Sequence, residues 1–511
     1  VRRLEGFYVP FSDRLDTAAN ARLHALNSRL LANRLPGVTD LFPAYTNLYV
    51  EFDAAQVGRN TVMAWVRSHL DPHQPTPSAG PLHTVPVRYD GEDLDWAAQT
   101  LGISVGELIE RHTRPTYHVF AVGFVPGFPF MGPLDPSLYL PRRRTPRKKV
   151  PIHSVAMAVS QTAIYVLPTP GGWHLLGTAL EQVYNPNRPD PFLLAPGQQV
   201  RFAPSQGPTP AEPQPLELLP GEPRHPVFRV ARPGLLDLVM DEGRLLGARF
   251  GMARSGPMDA RSARLANAAV GNPEGAPLLE LTLTGPVLEC LAPVVVGFAG
   301  FGLTMRINGE PLPGGRSVAM ARGDRLDFQP HSQGARAYLA LAGGIESQSF
   351  LGSQSTDLTG KVGRPLRSGD LLGVEQPRSV RAGFAQRLPQ LAQRIRIRLL
   401  AGPQATPDAL QALASGPFAV SSPDRMGIRL EGPKVPGGEL ISEATPMGAV
   451  QITTEGNPIL LLNDRGRIGG YAKPAVVDPR DLPLVAQLRP GQQIEFGVEP
   501  IAQTDHWFLW P

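Results

Sequence analysis

Apolar positions along this 511-residue chain recur at two different periods, and the change of period divides it. Between Asp16 and Leu35 the spacing is helical, with Leu23, Leu26, Leu30 and Leu31 on one face. A second helix is predicted from about Thr61 to Leu70, stopped by Asp71-Pro72. Phe7-Tyr8-Val9 and Leu48-Tyr49-Val50-Glu51-Phe52 read as strands, so residues 1–75 form a small α/β cap. Pro72 argues against His69 and His73 as a helical metal-binding pair. From residue 84 onward short strands alternate with turns, as at Val155–Ala158, Ala163–Leu167, Val294–Phe298, Ala337–Leu341 and Ile459–Leu462. Helices interrupt this pattern near Leu94–Leu101 and Val105–Arg111. Another follows Pro257, which fits a first helical turn; Leu265, Ala266, Ala269 and Val270 form its stripe, and Gly271-Asn272-Pro273 stops it.

Proline and glycine set the boundaries. Residues 72–82 are a polar linker, and 204–226 carry a run of prolines that predicts an extended, semi-rigid connection. Residues 376–393 form a third link. The predicted units are a cap at 1–75 and β-rich domains at 84–205, 227–375 and 394–503. Leu194-Ala195-Pro196-Gly197-Gln198 resembles Leu488-Arg489-Pro490-Gly491-Gln492, and each turn feeds a closing strand, which suggests one barrel plan used twice.

Composition narrows the class. The chain holds 53 Gly and 56 Pro, which favours short strands and turns over helical bundles. A net charge of +4 is a weak excess for this length. Its one basic run, Arg142-Arg143-Arg144-Thr145-Pro146-Arg147-Lys148-Lys149, sits between proline-bounded strands and reads as a solvated edge or local anion site rather than a nucleic-acid surface. Cys290, the single cysteine, reads as a small core residue. No apolar run approaches the ~18–20 residues of a membrane span, and Val1-Arg2-Arg3-Leu4 does not open a secretory leader, so a cytoplasmic protein without membrane contact is expected. There is no P-loop: Thr359-Gly360-Lys361-Val362 lacks the hydroxyl residue after lysine. No zinc motif, nucleophile elbow or biotinylation motif occurs, so neither a metal site nor covalent biotin is expected.

The densest signal lies in 123–177. Gly123-Phe124-Val125-Pro126-Gly127-Phe128-Pro129-Phe130 and Pro168-Thr169-Pro170-Gly171-Gly172-Trp173 describe loops anchored on aromatics, which either line a ligand site or turn barrel corners. The first block, with Pro146-Arg147, Ser154-Val155-Ala156, Gln161-Thr162 and Pro170-Gly171-Gly172-Trp173, resembles the KipI family (allophanate hydrolase subunit 1). In the second half, Ser255-Gly256-Pro257-Met258-Asp259, Val270-Gly271-Asn272, Leu279-Glu280, Asp424-Arg425-Met426-Gly427 and Gly469-Gly470-Tyr471 resemble the KipA family (allophanate hydrolase subunit 2). The chain is thus identified as a KipI–KipA fusion, similar to the B-type and C-type components of 5-oxoprolinase joined.

The resemblance implies a mainly β protein with an α/β N-terminal cap and several cyclophilin-like β-barrels, one in the first half and two in the second. It implies ATP-dependent hydrolysis of 5-oxoproline to glutamate with a separate A-type (LamB/YcsF-like) subunit, ATP being a cosubstrate of the complex. The alternatives are a KipI-like histidine-kinase inhibitor and a biotin-dependent carboxyltransferase related to urea amidolyase. Self-association into a homo-oligomer stays open. For such chemistry the candidate catalytic residues are His118 (general base), Glu280 and Asp464. Candidate substrate-binding residues are Arg147 as a carboxylate fork, Gln161, Thr162 and Trp173 as lining, Arg254, Ser255 and Asp259 at a helix N-terminus, and Gly469, Gly470, Tyr471 and Lys473 in a late loop. Each has a structural alternative: packing, capping, or an ion pair for Glu280. The chain departs from the family at Arg467-Ile468, where threonines are usual, at Ala472, where proline is usual, at Thr178, where arginine is usual, and at His153, where a small residue is usual.

Overall fold

The computed structural model describes residues 2–71, 80–388, 391–392, 394–498 and 507–509; His73, most of the 72–82 linker and the end of the 394–503 unit lie outside them. The cap has strands β1 (Leu4–Pro10), β2 (Val38–Pro43) and β3 (Asn47–Asp53) in the antiparallel order β1-β3-β2, with helices α1 (Thr17–Ala32) and α2 (Arg59–His69) packed on them. α1 starts where Asp16 accepts a hydrogen bond from Ala19 N at 2.9 Å, and it buries Leu23, Leu26 and Leu30 in the cap core. Leu31, placed on the same face by spacing, is only partly buried. β2 was not expected; its alternation is masked because all six of its residues are buried. The chain end returns to the cap, where Leu509 N donates to Tyr8 O at 2.7 Å.

Two seven-stranded sheets close into barrels, one within residues 82–204 and one within 395–498. In each, the closing strand runs parallel to the first, Gln199–Pro204 beside Leu82–Arg88 and Gln493–Val498 beside Ile395–Ala401. The related turns enter both closing strands identically. Gln198 Oε1 accepts Ala195 N at 2.9 Å and Gln492 Oε1 accepts Arg489 N at 2.8 Å, while Gly197 N donates to Val119 O and Gly491 N to Val420 O, each at 2.8 Å. Gly197 and Gly491 hold φ of +85° and +81°, open to glycine at little cost. The unit between the barrels differs from the expected third closed barrel: a six-stranded and a five-stranded sheet face each other across one core containing Phe228, Leu281, Phe298 and Leu339. Its helix spans Ala260–Ala269, so Pro257 precedes the helix instead of entering its first turn, and Asp259 is the N-cap. Among the described residues no helix is long and apolar enough to cross a membrane.

The halves meet through the Gly/Pro/Phe loop. Gly127 N donates to Phe250 O at 2.9 Å, and Phe192 stacks on Phe250 with centroids 4.5 Å apart. A Cβ on Gly251 would lie 2.7 Å from Val125 O, and one on Gly123 would lie 2.8 Å from Ile468 Cγ2. The loop is therefore a seam between halves, and its glycines permit backbone to approach backbone. The proline-rich 204–226 segment is strapped onto the second half: Leu216 N donates to Lys361 O, Gly363 N to Leu216 O and Gln348 N to Leu218 O, at 2.7–2.8 Å.

Candidate functional site

Where β1, the sandwich and the last barrel converge lies a cavity of about 110 Å³. Its apolar wall includes Met240, Met258, Leu278, Met447 and Leu482; its polar wall includes Arg2, Arg254, Ser255 and Asn463. The segment 254–258 is held in place by its backbone. Asn463 Nδ2 donates to Ser255 O and Pro257 O, both at 3.0 Å, and Ser255 N donates to Asn463 O at 3.3 Å. Ser255 takes φ +56°, a left-handed conformation uncommon outside glycine. Its Oγ is buried without a partner among the described residues, as are Arg254 Nη2 and Arg2 Nη1.

Arg254 is aimed by the first half. Its Nη1 pairs with Glu51 Oε1, to which Thr39 Oγ1 also donates at 2.8 Å. Arg465 Nη2 lies 3.9 Å from Glu51 Oε2, and Arg467 Nη2 pairs with Asp40 Oδ2 at 2.5 Å. Three buried guanidiniums thus face two carboxylates across the seam. Burial alone would raise the Glu51 carboxyl, but Arg254, Arg467 and Arg465 overcome it and bring it down to about 2. Burial and the neighbouring Arg467 push Arg465 down to about 9. Burial raises Asp40 against the opposing pull of Arg467.

A second buried network ties the sandwich to the last barrel and brings Glu280 and Asp464 together. Arg425 grips Asp464 through Nε at 2.7 Å and Nη2 at 3.2 Å, pairs with Glu280 through Nη1 and donates from Nη2 to Gly256 O at 2.7 Å. The other Glu280 oxygen accepts Met258 N at 2.7 Å and Tyr338 Oη at 2.8 Å. Burial alone would lower Arg425; Asp464 and Glu280 more than offset it and hold the guanidinium above its ordinary value. Both carboxylates are occupied by this network, so the geometry follows the ion-pair alternative for Glu280. Asp259 caps the helix, accepting Ser262 N at 3.0 Å and Gln487 Nε2 at 2.9 Å.

The remaining candidates sit elsewhere. His118 lines a separate cleft of about 650 Å³ with His24 and Gln198. Asn20 Nδ2 donates to the carbonyls of Tyr45 and Phe120, so Asn20 Oδ1 is the acceptor and His118 Nε2, 2.7 Å away, carries the proton. Burial brings His118 down to about 4 and, with the neighbouring His118, His24 to about 3. Both rings are neutral when folded and take up protons below about 6.5 when unfolded. Stability is therefore expected to fall as pH drops from 6.5 toward 4, by about 1.4 kcal/mol per pH unit for each such histidine. His118→Gln, which keeps a donor toward Asn20, should flatten the pH dependence of the melting temperature; an unchanged slope would contradict the assignment.

Arg147 is a correction. Its fork is filled by the protein's own carboxylates, Nη2 lying 2.8 and 2.7 Å from the two Asp93 oxygens and Nε pairing with Glu92, so it is not a free carboxylate clamp. Lys473 is likewise committed: it is fully buried, with Nζ 2.8 Å from Glu443 Oε1. Thr162 faces the barrel interior, where its Oγ1 donates to Ala156 O at 3.1 Å and lies 2.9 Å from His112 Nε2. Trp173 packs near Phe128 and Phe130. Gln161 Oε1 accepts Tyr45 Oη at 3.4 Å. Gly469, Gly470 and Tyr471 belong to the strand Ile468–Tyr471, paired with Glu439–Ala444. Reasoning from sequence missed Arg2, Glu51, Arg425, Asn463 and Arg465. Glu51 had a legible signal, a lone acid among apolar strand residues, the same one that singled out Glu280.

Residues 4–194 match the family described as carboxyltransferase domain, subdomain C and D, and residues 250–498 match carboxyltransferase domain, subdomain A and B. The chain is 35% identical to the C-type component of 5-oxoprolinase from Escherichia coli K12 over 285 residues, covering 53% of this chain and 90% of that protein. It is 35% identical to the B-type component of 5-oxoprolinase from E. coli O157:H7 over 198 residues, covering 37% of this chain and 87% of that one. Identity to the urea amidolyase of Lachancea kluyveri is 33% over 305 residues, 53% of this chain but only 17% of that much longer protein. The crystal structure of TTHA0988 superposes with a TM-score of 0.94 at 51% identity, covering 97% of this chain and all of that one.

Proposed function

The chain belongs to the carboxyltransferase-domain family, as a fusion of a KipI-type half bearing subdomains C and D with a KipA-type half bearing subdomains A and B, and on that premise we propose that it is the B-plus-C component of an ATP-dependent 5-oxoprolinase. The observation that carries this reading is that each half spans most of one 5-oxoprolinase component, in a single chain whose central cavity depends on both. Opening a five-membered lactam requires an activated amide, an attacking water and donors for the developing oxyanion. Phosphorylation of the amide oxygen by ATP is assigned to a separate A-type subunit, in keeping with the lack of a P-loop motif in this sequence. This chain would hold the acid through Arg254 and Ser255 while the ring is opened.

Reconstitution with an A-type subunit tests the reading. The expected result is ADP and glutamate formed together only when 5-oxoproline and both proteins are present. A verified active A-type partner that gives no glutamate would sink it. Urea-dependent turnover of a carboxylated biotin carrier would favour instead the carboxyl-transfer chemistry suggested by the urea amidolyase relative.

A further inference from the structure

We infer that the cavity between β1, the sandwich and the last barrel is a binding site for a compact carboxylic acid with a small ring, its carboxylate received by Arg254 Nη2 and Ser255 Oγ. This deepens the 5-oxoprolinase reading and rests on it for the identity of the acid. Three observations lead to it independently of that activity.

The first is unmet hydrogen-bonding capacity. Ser255 is 1% exposed and Arg254 4%, both line the cavity, and Ser255 Oγ and Arg254 Nη2 have no partner among the described residues. A buried polar group without a partner is costly and points to a missing one. The second is charge. Of the acids lining the cavity, Glu242 pairs with Arg2, Glu274 with Arg264, and Asp241 accepts from Ser353, Gln354 and Ser355. Three buried guanidiniums (Arg254 and, behind it, Arg465 and Arg467) face the two carboxylates Asp40 and Glu51, an excess of positive charge that a monoanion neutralises. Buried cations are otherwise paired. The third is shape and wall chemistry. The cavity is about 110 Å³, and Met240, Met258, Leu278 and Met447 face its polar end. That suits a ring carrying one carboxylate and does not suit a fully hydrated phosphate.

Ser255 also carries its own test. A serine at φ +56° is held in a conformation that glycine adopts freely. Ser255→Gly removes the hydroxyl and relieves the backbone, so a purely structural serine predicts a more stable protein with unchanged binding. The site predicts a more stable protein with weaker binding.

The experiment is calorimetric titration of the full chain, without any partner, using 5-oxoproline, cyclopentanecarboxylate, 2-pyrrolidinone and inorganic phosphate, paired with melting curves. The two acids should bind, and 2-pyrrolidinone, which lacks the carboxylate, should bind at least tenfold more weakly; phosphate should not compete. Ser255→Gly should raise the melting temperature yet weaken 5-oxoproline about three- to tenfold, the range for one hydrogen bond. Absence of acid binding, or a Ser255→Gly chain that binds as well as the parent, overturns the site. Glutamate formation in the reconstituted system without acid binding here would remove this pocket and leave the 5-oxoprolinase reading standing. Acid binding without turnover would do the reverse.

Discussion

Replacing Arg425 with methionine is expected to destabilise the second half by about 3–5 kcal/mol, the range for deleting one partner of a buried ion pair. The guanidinium serves two carboxylates and a carbonyl at once, and Glu280 is fully buried. Without it two acids remain in the interior with their charges uncompensated. The combined change Arg425→Met, Glu280→Gln, Asp464→Asn should recover part of the loss, because the penalty arises from the stranded charges and not from the lost attraction alone. Denaturant titration measures both. A loss below about 1 kcal/mol for the single variant would show that the network relaxes with water and is not the buried join described.

The second large effect belongs to Glu51. Glu51→Leu strands Arg254 and Arg465 at the seam, and about 3–5 kcal/mol is again expected. Both this site and the histidine cleft lose stability on acidification, and the pH at which the loss begins distinguishes them. The Glu51 carboxyl is depressed to about 2 when folded, from 4.5 when unfolded, so its contribution is present above pH 4.5 and is lost as pH falls toward 2. The histidine losses begin near pH 6.5 and run down to about 4 for His118 and about 3 for His24, overlapping the upper part of that window. Wild-type melting curves should thus show a loss that begins near pH 6.5 and steepens below 4.5, and Glu51→Gln should start lower and lack the steepening.

What could be read from the sequence was local. The helix face of Leu23, Leu26 and Leu30, the end of α2 at His69 and the paired Pro-Gly-Gln turns depend on neighbours a few residues apart, and periodicity records such neighbours. Arg467 shows where that reading stops. Its departure from the family is visible in the sequence, whereas its partner is Asp40, 427 positions away, and its neighbour Ile468 fills the space beside Gly123. Thr178 likewise donates to Asp90 at 2.9 Å, from a half-buried position on an otherwise buried strand. The Arg147 fork was read as a clamp for a ligand's carboxylate, and spacing carries no information on whether the carboxylate it meets is a ligand's or that of Asp93. Arg254, Ser255 and Asp259 were read together as a helix N-terminus open to an anion; Glu51 stood out as a lone acid among apolar strand residues, but its pairing with Arg254 was hidden because no local pattern joins the cap to residue 254.

The strapped connection at 204–226 bears on why the two halves form one polypeptide. The seam is made by backbone approaching backbone at Gly251, by stacked rings and by ion pairs, none of which needs the peptide link. Covalent joining therefore works chiefly on dosage. It fixes the halves at equal copy number and raises their local concentration to the millimolar range typical of tethered partners. A chain nicked in the exposed 206–209 stretch would be expected to travel as a single particle, behaving as two gene products already assembled.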